Sequence, residues 1–227
     1  MSINQENYTH IVSELGENVQ LVAVSKTKPV EDIQALYNLK HRDFGENYVQ
    51  EMTEKHSQLP RDIRWHFIGH LQSNKVKYIA PFVYMIQGVD SLKLLYEIDK
   101  QAARNQRNIQ CLLQVHIAME ESKFGFSEEE LMESIRFMEE NRLAGRLQNT
   151  TIAGLMGMAS FTEDKDKVRK EFHSLKTIFD KVRQIVKNEN FSVLSMGMSS
   201  DYRMAIEEGS NMVRIGSLIF GERTAAK

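Results

Sequence analysis

Short apolar runs alternate with amphipathic stretches along the chain. Residues 21–25 (Leu-Val-Ala-Val-Ser) are apolar on both faces, as a parallel strand covered from two sides requires. Similar runs predict further strands at 42–44, 64–68, 82–86, 109–117, 151–155, 191–196 and 212–215. Between them lie helical patterns. One carries Ile33, Leu36 and Tyr37 after Pro29, which suits a first helical turn. Another begins at Ser127 with Glu130 three residues on, the spacing of a capping box. The longest follows Thr162, where Val168, Phe172, Leu175, Phe179, Val182 and Val186 recur at alternating spacings of four and three.

Eight strand–helix units in sequence, preceded by a helix within residues 3–15, predict an α/β fold. They favour a closed (β/α)8 barrel of the TIM type over an open sheet. No linker, low-complexity segment or sequence repeat divides the 227 residues, so residues 1–227 are expected to form one domain.

Composition narrows the function classes. A formal net charge of −2 gives no bulk attraction to nucleic acid or anionic lipid. No run approaches the roughly 20 apolar residues of a membrane span, and the N-terminus lacks the layout of a secretion signal. Cys111 is the only cysteine, in a strand-like apolar setting, which excludes an internal disulfide. A cytoplasmic protein is expected.

The chemistry of such barrels gathers at the C-terminal ends of the strands. Those ends carry Lys26, Asn47, His70, Asp90, His116, Met156, Ser199 with Ser200, and Gly216 with Ser217. The last two breaks, Ser195-Met196-Gly197-Met198-Ser199-Ser200-Asp201 and Val213-Arg214-Ile215-Gly216-Ser217, are apolar runs opening into glycine and hydroxyl residues. That is the form of a phosphate cradle, and it stands where many barrels of this type hold a phosphate. Lys26 follows a buried strand with Lys28 two residues away, a setting that can lower an amine's pKa and make it a nucleophile toward a carbonyl. Such an amine with a phosphate cradle points to a phosphorylated aldehyde, of which pyridoxal 5′-phosphate is the common cofactor. Taken alone, Lys26 reads equally as a solvated loop lysine and the glycine turns as plain tight turns. Lys75 and Lys77 read either as a basic rim or as a solvated helix face. His66 and His70 are four apart but straddle a strand end, without the partners a metal site needs.

Several blocks resemble one family closely. They are Ala23-Val24-Ser25-Lys26-Thr27-Lys28-Pro29, Phe44-Gly45-Glu46-Asn47-Tyr48-Val49-Gln50-Glu51, and His66-Phe67-Ile68-Gly69-His70-Leu71-Gln72-Ser73-Asn74-Lys75. With them go Gly154-Leu155-Met156-Gly157-Met158, Ser195-Met196-Gly197-Met198-Ser199 and Met212-Val213-Arg214-Ile215-Gly216. In this order they resemble the YggS/PROSC family of pyridoxal phosphate homeostasis proteins. The resemblance implies a barrel of the alanine racemase N-terminal domain type, with the cofactor held as an aldimine on Lys26. It implies a phosphate site at Ser199, Ser200, Gly216 and Ser217, and Arg214 facing the pyridine nitrogen, which would weaken the ring as an electron sink. Asn47, His70 and Met156 would line the mouth.

Two functions compete: a non-enzymatic holder that stores, buffers or delivers the cofactor, and an amino-acid racemase using the same linkage. Racemisation needs a base on each face of the substrate, and only Lys26 is evident. The sequence ends at Lys227, a few residues past Phe220-Gly221-Glu222-Arg223, leaving no room for the second domain that supplies the other base in racemases. The expectation is a monomeric pyridoxal phosphate holder with little turnover, whose partners beyond the cofactor are apo-enzymes as acceptors.

Overall fold

The computed structural model describes residues 3–118, 124–143, 145–186 and 189–222. Lys123, Arg223 and Lys227 lie outside them. Eight parallel strands close a barrel in sequence order, each paired to the next and the eighth to the first. They are β1 Gln20–Val24, β2 Asp43–Glu46, β3 Arg64–Phe67, β4 Met85–Val89, β5 Ile109–Val115, β6 Thr150–Gly157, β7 Val193–Ser195 and β8 Met212–Ile215. The helix α1 Gln5–Leu15 precedes them. Next come α2 Val30–Asn38, α3 Val49–Gln58, a 3-10 turn Ser73–Lys75 leading into α4 Val76–Ile79, and α5 Leu92–Arg104. The remaining helices are α6 Glu128–Leu143, α7 Lys165–Val186, α8 Tyr202–Glu207 and α9 Ser217–Phe220.

The signals read from the sequence have physical counterparts. Pro29 is the N-cap of α2. Ser127 and Glu130 bond reciprocally, the Glu130 amide to the serine hydroxyl at 3.2 Å and the Ser127 amide to the carboxylate at 2.9 Å. The α7 stripe from Val168 to Val182 is buried against the sheet.

Strand β4 lies three residues later than the expected 82–86. The Phe82 and Val83 amides both donate to Ile79 O, at 3.0 and 2.8 Å, closing the turn after α4. Those donors are therefore lost to a ladder, and sheet pairing starts with Tyr84 N on Trp65 O at 2.9 Å. Gly88 lies inside the strand; a Cβ there would stand 2.6 Å from Gly69 O.

Apolar residues fill two layers. Most pack between strands and helices, while Val22, Met85, Leu112, Ala153, Met156 and Met212 form a smaller cluster inside the barrel. Polar side chains share that interior: His66, Gln87 and Ser195 are fully buried and Arg214 almost so. Their hydrogen bonds are the condition for being there.

Candidate functional site

The site is built on the ends of β7, β8, β1 and β2, four consecutive strands of the closed sheet. The register of β8 against β1 pairs Val22 with Arg214 and Ala23 with Ile215, so Gly216 comes level with Val24. Space there is tight. A Cβ on Gly216 would lie 3.1 Å from Val24 O. Two residues beyond the end of β1, half-buried Lys26 sits in a turn beside that glycine's strand. Lys28 runs along α9, its Nζ donating to the carbonyls of Phe220, Gly221 and Glu222 at 2.9, 3.0 and 3.1 Å.

The turns after β7 and β8 face each other. Arg214 N donates to Gly197 O at 3.0 Å, and Gly216 N donates to Ser199 Oγ at 3.3 Å. Gly197 is held at φ +95°, and a Cβ there would fall 2.6 Å from that of Ala205, so only glycine fits. Asp201 folds back to accept from Met198 N at 2.6 Å. Ser199 is half-buried, while Ser200 and Ser217 reach solvent. Ser199 and Ser200 line one partly open depression, and Ser217 stands on the neighbouring turn after β8. The helices behind them, α8 and α9, have six and four residues, too short to add much dipole.

Beneath this depression lies Arg214. Its guanidinium is buried and hydrogen-bonds to neutral acceptors, Ser195 Oγ at 2.6 Å and Gly157 O at 3.0 Å. Burial pushes its pKa down to about 10, with the Asp201 charge opposing. Met156, fully buried on β6 and in register with Ser195, forms part of the floor. Asn47, directly after β2, keeps a buried Oδ1 with no hydrogen-bond partner, the kind of orphaned acceptor a ligand donor satisfies.

His70 is placed differently. Its side chain is 40% exposed, its Nδ1 is 3.0 Å from Asp90 Oδ2, and its ring stacks on Phe124 at 3.9 Å. It is a rim residue and borders an outer groove of about 940 Å³ shared with Tyr48, Lys75 and Tyr78. His66, four residues earlier, points into the barrel between Asp43 and Gln87. The two histidines do not meet. No group of three His, Cys, Asp or Glu side chains able to hold a metal occurs among the described residues.

The chain matches the family described as alanine racemase, N-terminal domain, over residues 4–224. A pyridoxal phosphate homeostasis protein of Aquifex aeolicus is 40% identical over 210 residues, covering 92% of this chain and 89% of its own length. One from Helicobacter pylori is 40% identical over 206 residues, covering 90% and 88%. The chain belongs to the pyridoxal phosphate homeostasis family, on the alanine racemase N-terminal domain fold.

Among solved structures, PipY of Synechococcus elongatus without PLP superposes with a TM-score of 0.88 at 32% identity, covering 95% of this chain and 99% of that one. The form of PipY with PLP bound gives 0.83 at the same identity. An alanine racemase of Clostridium difficile shares the fold alone, with a TM-score of 0.76 at 17% identity over 58% of its length. Homeostasis-family membership gives the β7–β8–β1 constellation a cofactor to be weighed against.

Sequence reasoning missed two groups of residues here. The buried set Glu46, Glu51 and Lys55 beneath the Lys26 turn left one trace, the i,i+4 spacing of Glu51 and Lys55 on α3. The pairing of Ser195, Gln87 and His66 behind Arg214 left none, because these residues come from three strands far apart in sequence.

Proposed function

We propose that this chain holds pyridoxal 5′-phosphate as an aldimine on Lys26 and serves in storing, buffering or delivering it to apo-enzymes, with little turnover of its own. The observation that carries the reading is the adjacency of the Lys26 turn on β1 to the Gly216–Ser217 turn on β8, with the Ser199–Ser200 turn on β7 alongside. One small ligand with an aldehyde at one end and a phosphate at the other would serve these adjacent turns together. When bound, the cofactor supplies a carbonyl for the lysine and a ring that can take up electrons.

The residues present fit the group. Ser199, Ser200, Gly216 and Ser217 offer hydroxyl and backbone donors to the phosphate. Asn47 would offer its orphaned Oδ1, and buried Met156 would close the floor of the site. Arg214 would face the ring nitrogen. A buried guanidinium with a pKa of about 10 remains a donor at neutral pH, so it would leave that nitrogen without a proton and the ring a weak electron sink. His70, on the rim, is proposed to border the entrance. Its place favours contact with incoming and departing molecules over contact with the seated ring.

The test is to load the purified protein with pyridoxal phosphate, reduce it with borohydride and map the adduct. The label should fall on Lys26, and Lys26→Ala should abolish the visible band. Labelling elsewhere, or no band in the unsubstituted protein, would overturn the reading. A racemase rate at catalytic concentration that disappears in Lys26→Ala would favour the enzyme alternative. The holder is further read as a cytoplasmic monomer. Sedimentation of the loaded protein checks the oligomeric state.

A further inference from the structure

The turn that carries Lys26 is held from below by a buried ionic cluster. Lys55, on α3, is 5% exposed, and its Nζ donates to Glu46 Oε1 at 2.8 Å, Glu51 Oε1 at 2.6 Å and the backbone oxygen of Ser25 at 2.8 Å. The carboxylates return to the same turn. Glu46 Oε1 accepts the Ser25 hydroxyl at 2.6 Å, and Glu51 Oε1 accepts the Thr27 amide at 2.6 Å. Lys26 is thus bracketed, with its predecessor bound at two atoms and its successor at one.

Thr27 needs that support. It sits at φ +63°, a region a β-branched residue avoids at a cost of about 1–3 kcal/mol, and such conformations persist only where surroundings over-determine them. Desolvating an ammonium and two carboxylates also costs several kcal/mol, so hydrophobic packing would stabilise this spot more cheaply. An arrangement expensive in both respects, aimed at the two residues flanking Lys26, implies a role in that lysine's chemistry.

We propose that Lys55, together with Glu46 and Glu51, positions the Lys26 turn, and that the carboxylates keep the Lys55 ammonium from adding uncompensated positive charge beneath it, which favours a cationic nitrogen on Lys26. This rests on the cofactor reading above. Arg214 stands on the neighbouring β8, and Lys28, on the same turn, is engaged by the carbonyls at the end of α9. Burial pushes the Glu46 carboxyl up, with Lys55 pulling against it. With the cofactor bound, Glu51 and Glu46 would shield the nitrogen of Lys26 from the Lys55 ammonium while holding Ser25 and Thr27 in place.

Spectrophotometric pH titration of the protein loaded with pyridoxal phosphate reads the linkage nitrogen directly. Glu51→Gln keeps an acceptor for Thr27 and Lys55 but removes the charge, and should lower the titration midpoint by about one unit. Lys55→Met should release the cofactor at least about tenfold faster, with Lys55→Arg restoring most of the retention. A Glu51→Gln midpoint equal to that of the unsubstituted protein, or a folded Lys55→Met with unchanged release, would overturn the inference. If Lys55→Met does not fold, the Glu51→Gln titration decides. An unsubstituted protein without a Lys26-dependent band would instead overturn the cofactor reading, and this inference with it.

Discussion

The Arg214 guanidinium donates to the Ser195 hydroxyl at 2.6 Å, and that hydroxyl donates onward to Gln87 Oε1 at 2.7 Å. Gln87 Nε2 meets His66 Nδ1 at 3.1 Å, and His66 Nε2 meets Asp43 Oδ1 at 3.0 Å. Every donor in this chain points from the mouth of the barrel toward the opposite end. There Arg64 and Gln20 also donate to Asp43. In this direction His66 Nδ1 faces the Gln87 amide nitrogen and Nε2 faces the Asp43 carboxylate, and Ser195 keeps a lone pair for Arg214.

Ser195→Ala breaks the relay at its tightest point. It strips Gln87 Oε1 of a donor and Arg214 of an acceptor, both buried, so stability should fall by about 1–3 kcal/mol. A lower urea midpoint with an unchanged slope would show it. An unaltered midpoint would mean that the relay contributes nothing.

Asp43 gives the acid limb of stability a defined source. Burial alone would raise its carboxyl, but hydrogen bonds from Arg64 and His66 outweigh burial and hold it well below the usual range. A carboxyl depressed in the folded state contributes stability that is present above its unfolded pKa, near 4, and is lost as pH falls below that value. Unfolding free energy should drop by about 2 kcal/mol between pH 4 and 2 on this account. In Asp43→Asn that part of the slope should vanish, as denaturant titrations across the range would reveal.

Gly197→Ala should cost about 2 kcal/mol or more, from the positive φ and the collision with Ala205. Because Gly197 O also carries the Arg214 amide, the same change should weaken cofactor retention. Equilibrium dialysis with pyridoxal phosphate, paired with thermal melts, separates the two effects.

Ser199→Leu and Ser217→Leu alter half-exposed and exposed positions, so melting temperature should change little while retention of pyridoxal phosphate falls about tenfold or more. Inorganic phosphate should raise the melting temperature of the unsubstituted, unloaded protein and do less for either variant. Equal protection of all three would place the phosphate elsewhere.

How much of this was legible beforehand follows from where the information resides. Val22, Leu112 and Leu155 sit in runs apolar on both faces, so strand number and order could be read from them without tertiary knowledge. The Lys26, Ser199 and Gly216 breaks were readable because they interrupt those runs at the end where barrel chemistry gathers. Strand β4 was misplaced because Phe82 and Val83 are good strand formers, yet the turn after α4 claims their amides. Lys55 was invisible because a lysine on a surface helix is ordinarily solvated, and only the packing of α3 against β1 and β2 buries it. Ser195 and His66 appear in recognisable blocks, but their pairing through Gln87 exists only once three strands lie around one axis.

The last strand has a disproportionate part. β8 pairs with both β7 and β1, carries Arg214, and ends in Gly216 and Ser217, while α9 beyond it receives Lys28 and bonds to α1 through Asn4 N on Ile219 O at 2.8 Å. On the proposed reading, a chain emerging from the ribosome would have no complete seat for its ligand until this eighth stave is made, so the ligand would not template the seven strands that precede it.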